Sequence, residues 1–313
     1  MRVFVWEYCC AACPDVPESL RREGQAMLSA VVSDLARCAD VDAVTMPEKL
    51  SAADEANTFR RLCRSCDWTL VIAPESDGIL LDRCRIVEEE GGRLLGPDSV
   101  AVALAGDKLQ LGRHLNERGV ESPRCELLRP GAETSLPFPL VCKPRDGAGS
   151  QATFLLHTGE ELERAIKTAR AEAFAGELSV QPFVPGLAAS VAFLVGPRGR
   201  VALPAAEQHL SDDGRFRYFG GRLPLPPELD ERARRLADRA IAAIAGLCGY
   251  VGVDLVLGAE HDAVIEINPR LTTSYVGLRQ LALDNLAAAM LTLAAGGGVP
   301  ALRWRPGPVV FCV

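Results

Sequence analysis

Gly249-Tyr250-Val251-Gly252-Val253-Asp254-Leu255-Val256-Leu257 is followed, after a turn-forming Gly258-Ala259-Glu260-His261-Asp262, by Ala263-Val264-Ile265-Glu266-Ile267-Asn268-Pro269-Arg270. Both runs are short and β-branched, the signature of strands. Alternation puts Val253, Leu255 and Leu257 on one face of the first strand and Asp254 on the other. In the second, Ile265 and Ile267 face one way and Val264, Glu266 and Asn268 the other. Pairing the two as a hairpin, apolar set against apolar set, brings Asp254, Glu266 and Asn268 to one face. A slip of one residue would bury Asp254 with Ile265 and Ile267. Two carboxylates and an amide oxygen form a hard-oxygen set suited to Mg²⁺ bridging phosphates. Arg270 adds a planar cation beside them. A half-exposed hairpin with solvated acids has the same local pattern, so the rest of the chain must decide.

With 313 residues, 5% aromatic and 24% charged, the chain has an ordinary globular composition and room for two or three subdomains. A net charge of −7 argues against a general nucleic-acid or anionic-membrane surface, while nucleotides remain compatible. No apolar run is long enough to span a bilayer. Met1 to Cys10 is apolar but carries Glu7 and lacks a signal cleavage pattern, so a cytoplasmic protein is expected. The eleven cysteines are expected to be reduced. Cys10-x-x-Cys13 and Cys63-x-x-Cys66 have metal-like or redox-like spacing, but neither has His or Cys partners nearby. They are read as small buried hydrophobes.

Strands over Arg2–Tyr8, Val41–Met46 and Asp67–Pro74 alternate with helices over Glu18–Cys38, Asp54–Cys66 and Leu80–Glu90. That order predicts a parallel, doubly wound sheet to about residue 97. No Gly-x-Gly-x-x-Gly follows the first strand. Glu7 and Tyr8 leave its carboxyl end, where they could touch substrate or, as the sequence favours, anchor the loop. Gly96-Pro97-Asp98-Ser99 marks a boundary, and Gly106-Asp107-Lys108-Leu109 opens a helix. Leu140-Val141-Cys142-Lys143 is a strand that ends in a lysine. The loop after it, with Gly147, Gly149 and Ser150, allows backbone N–H groups to approach phosphate oxygens, as a glycine turn in a hairpin also would. It is not a Walker A motif, because a strand rather than a helix is predicted at Gln151–Leu156. After a helix over Thr158–Ala173, Gln181-Pro182-Phe183-Val184 leads into Pro185-Gly186. Such a link between lobes can offer backbone groups to an adenine edge. Strands are predicted at Ser190–Val195 and Val201–Ala205, and helices at Pro227–Cys248 and Val276–Ala295. Arg215–Arg222 suits a substrate-facing loop and equally a solvated one.

Taken in order, Lys108, Lys143 with its glycine loop, Gln181 to Gly186, Asp254 and Glu266-Ile267-Asn268-Pro269-Arg270 resemble the ATP-grasp superfamily of carboxylate–amine ligases. The resemblance covers essentially the whole chain. It implies an α/β fold with α+β grasp domains. A pre-ATP-grasp Rossmann-like domain would occupy 1–97, a small lid domain with its leading helix 98–185, and a large metal-binding domain 186–313. It implies that Lys108 and Lys143 bind ATP phosphates and that Gly147, Gly149 and Ser150 form the lid. It also implies that Gln181, Pro182, Phe183 and Val184 hold adenine, and that Asp254, Glu266 and Asn268 hold Mg²⁺, or Mn²⁺ in its place. Arg270 and Lys143 would be the catalytic cations. One position departs from the pattern: Ala188 stands where many grasp ligases hold the ribose with an acid, leaving Glu177 or a backbone group for that contact. The run Glu266 to Gly277, with Trp6-Glu7-Tyr8, is similar to the tyramine–glutamate ligase group of methanofuran biosynthesis. That likeness implies small-molecule carboxylate and amine substrates, an acyl phosphate, and ADP and phosphate as products. It implies no nucleic-acid or membrane partner, and a homodimer is compatible with it. Other grasp ligases of peptide, D-alanine or biotin-carboxylase type remain alternatives, the last without its carrier segment. A non-catalytic nucleotide-binding regulator would be expected to lack some of these lysines or acids, and none is missing.

Overall fold

The computed structural model describes residues 1–11, 18–47, 50–128, 134–147, 149–172 and 174–312. Cys13 of the first cysteine pair, Ala148 of the glycine loop and Ala173 at the end of a predicted helix lie outside the described residues.

The amino-terminal unit is β1 (Arg2–Glu7), α1 (Tyr8–Ala11), α2 (Glu18–Leu35), β2 (Asp42–Thr45), α3 (Ala52–Ser65), β3 (Trp68–Ile72) and, after a short 3-10 turn at Ser76–Gly78, α4 (Ile79–Glu89). The three strands are parallel in the order β2-β1-β3, as the alternation of elements requires. Central β1 is covered on both faces, so it reads as a continuous apolar run. Val3 and Val5 pack with Val31 and Leu35 of α2, whereas Phe4 and Trp6 pack with Phe59 and Leu62 of α3. Ser51 caps α3 by accepting from the Asp54 N–H.

Next come α5 (Ser99–Gly106) and α6 (Lys108–Glu117). Asp98 and Asp107 cap them, the latter accepting the Leu109 and Gln110 N–H groups at 3.1 Å each. A small antiparallel sheet follows: β4 (Glu126–Leu127), β5 (Leu140–Pro144), β6 (Phe154–Leu156), α7 (Gly159–Ala171) across one face, and β7 (Leu178–Pro182), in the order β4-β7-β5-β6. Leu162, Ala165 and Ala169 of α7 close its core against Leu140, Cys142 and Val180. The helices α5 and α6 do not share that core. Ala101, Ala105, Leu111 and Leu115 pack instead with the large sheet, so the leading helix of the middle segment is seated on the carboxyl-terminal lobe.

The large sheet holds β8 (Leu187–Gly196), β9 (Gly199–Ala202), β10 (Ala206–Leu210), β11 (Tyr218–Leu223), β12 (Gly249–Leu257), β13 (Asp262–Asn268) and β14 (Val309–Cys312), with α8 (Pro227–Ala242), α9 (Ser274–Leu281) and α10 (Leu286–Ala294). Its order is β13-β12-β8-β10-β11-β14, with β9 paired to β8. The face carrying Val253, Leu255 and Leu257 packs on α8, while α9 and α10 pack with α2 of the amino-terminal unit. Asp34, 1% exposed, ties those units together: it accepts from Tyr275 Oη at 2.7 Å and pairs with Arg279 at 2.7 Å.

Three local expectations are corrected. The predicted helix over Val276–Ala295 is two helices. Asn285 stops the run, because its amide oxygen caps the Ala287 and Ala288 N–H groups while its Nδ2 donates to the Asp34 carbonyl at 2.7 Å. The segment Arg215–Arg222 is not all loop: from Tyr218 it is a strand paired on both sides, with β10 and β14. The hairpin carries a β-bulge, with Asp254 opposite Glu266 but Leu255 opposite Val264, so Ile265 is the extra residue. Val264 therefore enters the core at 0% exposure and Ile265 leaves it, the reverse of strict alternation. The bulge satisfies both demands: Val264 and Ile267 are buried, and the acids still meet.

Candidate active site

Register places the acids. Asp254 and Glu266 are direct cross-strand partners, and Gly252 faces Asn268. Asn268, 8% exposed, donates from Nδ2 to Asp254 Oδ2 at 3.0 Å. Gln208 on β10, which the sequence reading did not single out, donates to the other oxygen, Oδ1, at 3.0 Å. Burial and then the neighbouring Glu266 carboxylate push the Asp254 carboxyl up. Burial also raises Glu266, but Lys108, Lys143, its bond with Asp254 and Arg270 outweigh it and hold that carboxyl down. Side by side, the two acids resist ionising together, and a proton held on Asp254 or a neighbouring cation relieves that repulsion.

The cations converge on it. Lys108, at the first position of α6, is 8% exposed rather than on the surface; its Nζ lies 3.6 Å from Glu266 Oε2 and donates to the Gly147 carbonyl at 3.0 Å. Lys143, 7% exposed at the end of β5, makes no hydrogen bond or ion pair through its ammonium to any described residue. Burial pushes its pKa down, Glu266 partly restores it, and Lys108 opposes it. Asp107 fixes the two lysines together: Arg145 binds its Oδ2 at 2.6 Å and Glu177 at 2.7 Å, and the Lys108 N–H donates to the Arg145 carbonyl at 3.1 Å. Glu177, the residue left for ribose, is thus engaged by Arg145.

Arg270 is held from an unexpected quarter. Its guanidinium forms a two-pronged pair with Glu75, in the loop after β3, at 2.9 and 3.1 Å, and reaches Asn268 Oδ1 at 3.4 Å. Burial lowers the guanidinium pKa, but Glu75 outweighs it and the net shift is upward. The amino-terminal unit also meets the glycine loop, where the Asp77 N–H donates to Asp146 at 3.1 Å. Gly147 (φ 145°) and Gly149 (φ 75°) have backbones that side chains disfavour, and Ser150 follows at φ 58°. Its hydroxyl donates to the Phe216 carbonyl at 2.6 Å. Phe216 stacks on Phe183 of the predicted adenine link, with centroids 6.2 Å apart. Arg215 clasps Glu172 and lies 4.2 Å over the Phe154 ring. This loop therefore grips the small lobe through Arg215 and Phe216. Gln181 is 4% exposed, with Pro182 and Val184 beside it only partly buried. Glu7 is an anchor: it accepts the Cys10 N–H at 2.8 Å, and a β-carbon at Gly24 would stand 2.4 Å from its oxygen. Two cavities of about 250 and 490 Å³, lined among others by Pro197, Gly246 and Leu247, share no residue with this cluster.

Comparison with known proteins gives a match to the ATP-grasp domain over residues 105–274, more than half of the chain, and to the pre ATP-grasp 3 domain over 30–102. The chain belongs to the ATP-grasp family. It is 30% identical over 213 residues to the tyramine–L-glutamate ligase of Methanocaldococcus fervens, covering 68% of this chain and 62% of that protein. The chain thus spans under two thirds of that relative's length. It is 32% identical over 200 residues to the D-alanine–D-alanine ligase of Thermotoga petrophila, covering 60% of this chain and 64% of that one. An ATP-grasp superfamily protein of Archaeoglobus fulgidus superposes with a TM-score of 0.74 at 26% identity, over 97% of this chain and 91% of its own. ATP-grasp enzymes use ATP and a divalent metal. The residues here fit that pair. Among the described residues no three His, Cys, Asp or Glu side chains could hold an ion by themselves. Two acids and one amide oxygen suit an ion that takes its remaining ligands from phosphates. No helix among the described residues is long and apolar enough to cross a membrane.

Proposed function

We propose that this chain is an ATP-dependent ligase that joins a glutamate-like carboxylate to tyramine or a related amine, releasing ADP and phosphate. The observation that carries the reading is Lys143, a buried ammonium that makes no hydrogen bond or ion pair with a described residue, set beside Lys108 and two converging acids. A buried cation is costly unless a ligand anion completes it. Phosphate oxygens supply that anion, and the glycine loop brings its backbone to the same place. A carboxylate is a poor acyl donor because its oxygen leaves badly. Once phosphorylated, it loses phosphate when an amine attacks. Lys143, Lys108 and the Glu75-locked Arg270 would meet the charge of the transferring group. A bound Mg²⁺ or Mn²⁺ would neutralise phosphate charge at Asp254, Glu266 and Asn268. The loop at Gly147–Ser150 would keep water from the activated acid.

The methanogen relative supports the glutamate and tyramine pair, and with it a place in methanofuran-like cofactor biosynthesis. The Thermotoga relative favours a second reading, with amino acids as both substrates. ADP release measured across a panel of acids and amines with Mg²⁺ or Mn²⁺ tests both. Dependence on a glutamate-like acid, and amide formation with tyramine-like amines, is the expected result. Preference for D-alanine would replace that substrate pair with the second reading. No ADP with any acid would contradict a ligase.

A further inference from the structure

Between β3 and α4 the chain makes one tight turn, and that turn touches two parts of the site at once. Glu75 is 9% exposed and gives both carboxylate oxygens to the Arg270 guanidinium, at 2.9 and 3.1 Å. Its stem packs at Gly106, just before Lys108, where a β-carbon would stand 3.6 Å from the Glu75 Cβ. Further along the turn, Asp77 takes a left-handed backbone (φ 54°, ψ 21°), which Asp tolerates better than most side chains. Its N–H leaves the turn and donates to Asp146 Oδ2 of the glycine loop at 3.1 Å. Ser76 Oγ, between them, lies 3.5 Å from where a β-carbon on Gly147 would stand. The Gly147 carbonyl in turn accepts from Lys108 Nζ at 3.0 Å. The turn is braced from both sides. Ala73 and Leu80 are buried in the amino-terminal core, and the Gly78 and Leu80 N–H groups donate back to the Glu75 and Pro74 carbonyls.

The chain from Glu75 to Asp77 spans about 7 Å at most. A braced turn of that length cannot follow Arg270 and the glycine loop if they move apart, so one of the two contacts must break. The buried joint at Asp34 already ties the amino-terminal unit to α9, through residues outside the charged cluster. Cohesion of the units therefore leaves the turn unexplained. We propose that Glu75, Asp77 and Asp146 are positioning residues, which hold Arg270 and the glycine loop in one register while the activated acid awaits the amine. The proposal rests on the ligase reading. Each of the three acts through Arg270 or through the loop rather than on a reacting atom. If the register slips, water adds to the carbonyl carbon of the acyl phosphate and expels phosphate, returning the acid. ATP is then consumed without an amide.

The test compares the whole chain with three variants. Asp146→Ala removes the acceptor, Asp146→Asn keeps an acceptor oxygen, and Asp77→Gly keeps both the N–H and the left-handed backbone. Hydrogen exchange over residues 143–147, with Mg²⁺ and a non-hydrolysable ATP analogue, reads the loop without any acid or amine. Asp146→Ala should exchange there about three- to tenfold faster than wild type, the range for losing one hydrogen bond to a carboxylate, with unchanged melting. Asp146→Asn should recover most of the protection and Asp77→Gly all of it. In turnover with MgATP, glutamate and tyramine, wild type should form one amide for each ADP, and Asp146→Ala should release severalfold more ADP than amide. Glu75→Gln should lower kcat with the KM for ATP unchanged. Combined with Asp146→Ala, it should lower kcat by less than the product of the single effects. Equal loop exchange in wild type and Asp146→Ala, or effects on kcat that simply multiply, would overturn the proposal. Where glutamate and tyramine are not the pair, the exchange measurement decides alone. Wild-type protein that releases ADP but shows equal exchange separates this failure from that of the ligase reading, in which no acid elicits ADP at all.

Discussion

At the residue scale the site is a set of charges that do not balance internally. Glu266 answers Lys108 at 3.6 Å, Glu75 answers Arg270, and Asp254 has only amide donors from Gln208 and Asn268. Lys143 feels Glu266 but makes no hydrogen bond or ion pair with a described residue, so its replacement should be felt in nucleotide binding more than in folding. We expect Lys143→Ala to weaken ATP binding by about 2 kcal/mol, roughly thirtyfold, the range of a hydrogen bond to a charged group. Lys167→Ala, exposed on α7, should bind as wild type does, and both should melt near the parent temperature. Equal ATP affinity in the two variants would remove Lys143 from the phosphate site. The acids were legible in the sequence because alternation and the cost of burying Asp254 act over a few neighbouring residues. Glu75 and Gln208 were not. Glu75 meets Arg270 across 195 positions and Gln208 meets Asp254 across 46, and no local pattern encodes such meetings.

Among elements, the hairpin shows where local reading stops. Strand placement and the gathering of Asp254, Glu266 and Asn268 on one face follow from composition and period. The bulge at Ile265 does not, since it depends on which of Val264 and Ile265 the α8 side of the sheet can accept. The loop at Asp212–Arg217 is a similar case. Its cations suggested a substrate contact, yet Arg215 holds Glu172 and covers Phe154, and the Leu155 N–H donates to the Gly214 carbonyl at 2.8 Å. It is a clasp on the small lobe, and its ion pair is partly exposed, so a modest coupling is expected. In a double-mutant cycle, Arg215→Ala and Glu172→Ala should each raise the KM for ATP severalfold. The double variant should be little worse than either, with a coupling of about 0.5–1 kcal/mol. Strictly additive effects on KM would show that the clasp does not control the lobe.

At the scale of the whole molecule, three units close on one face. The amino-terminal unit sends Glu75 to Arg270, the small lobe sends Lys143 and the glycine loop, and the large sheet supplies the acids. The parallel amino-terminal sheet and the grasp-like order of motifs were legible because each is a succession of local signals. The strands β10 and β14 were not read: β10 is short, polar and joined to β11 through a cation-rich loop, and β14 is short and paired to a partner distant in sequence. What this assembly is built to do, on our account, is move a phosphoryl group to a carboxylate and then exchange it for an amine. Among the described residues, the titratable side chains of this face are acids, lysines, an arginine, a tyrosine and the Cys125 thiol. The Cys125 Sγ donates to Gln181 at 3.6 Å and burial pushes the thiol up, so it is not poised as a thiolate nucleophile. The most direct measurement is therefore the fate of oxygen. With ¹⁸O in the carboxylate of the acid substrate, the account predicts that one labelled oxygen appears in the released phosphate for every amide formed, with ADP as the nucleotide product. Phosphate free of label, or AMP and pyrophosphate in place of ADP, would contradict it.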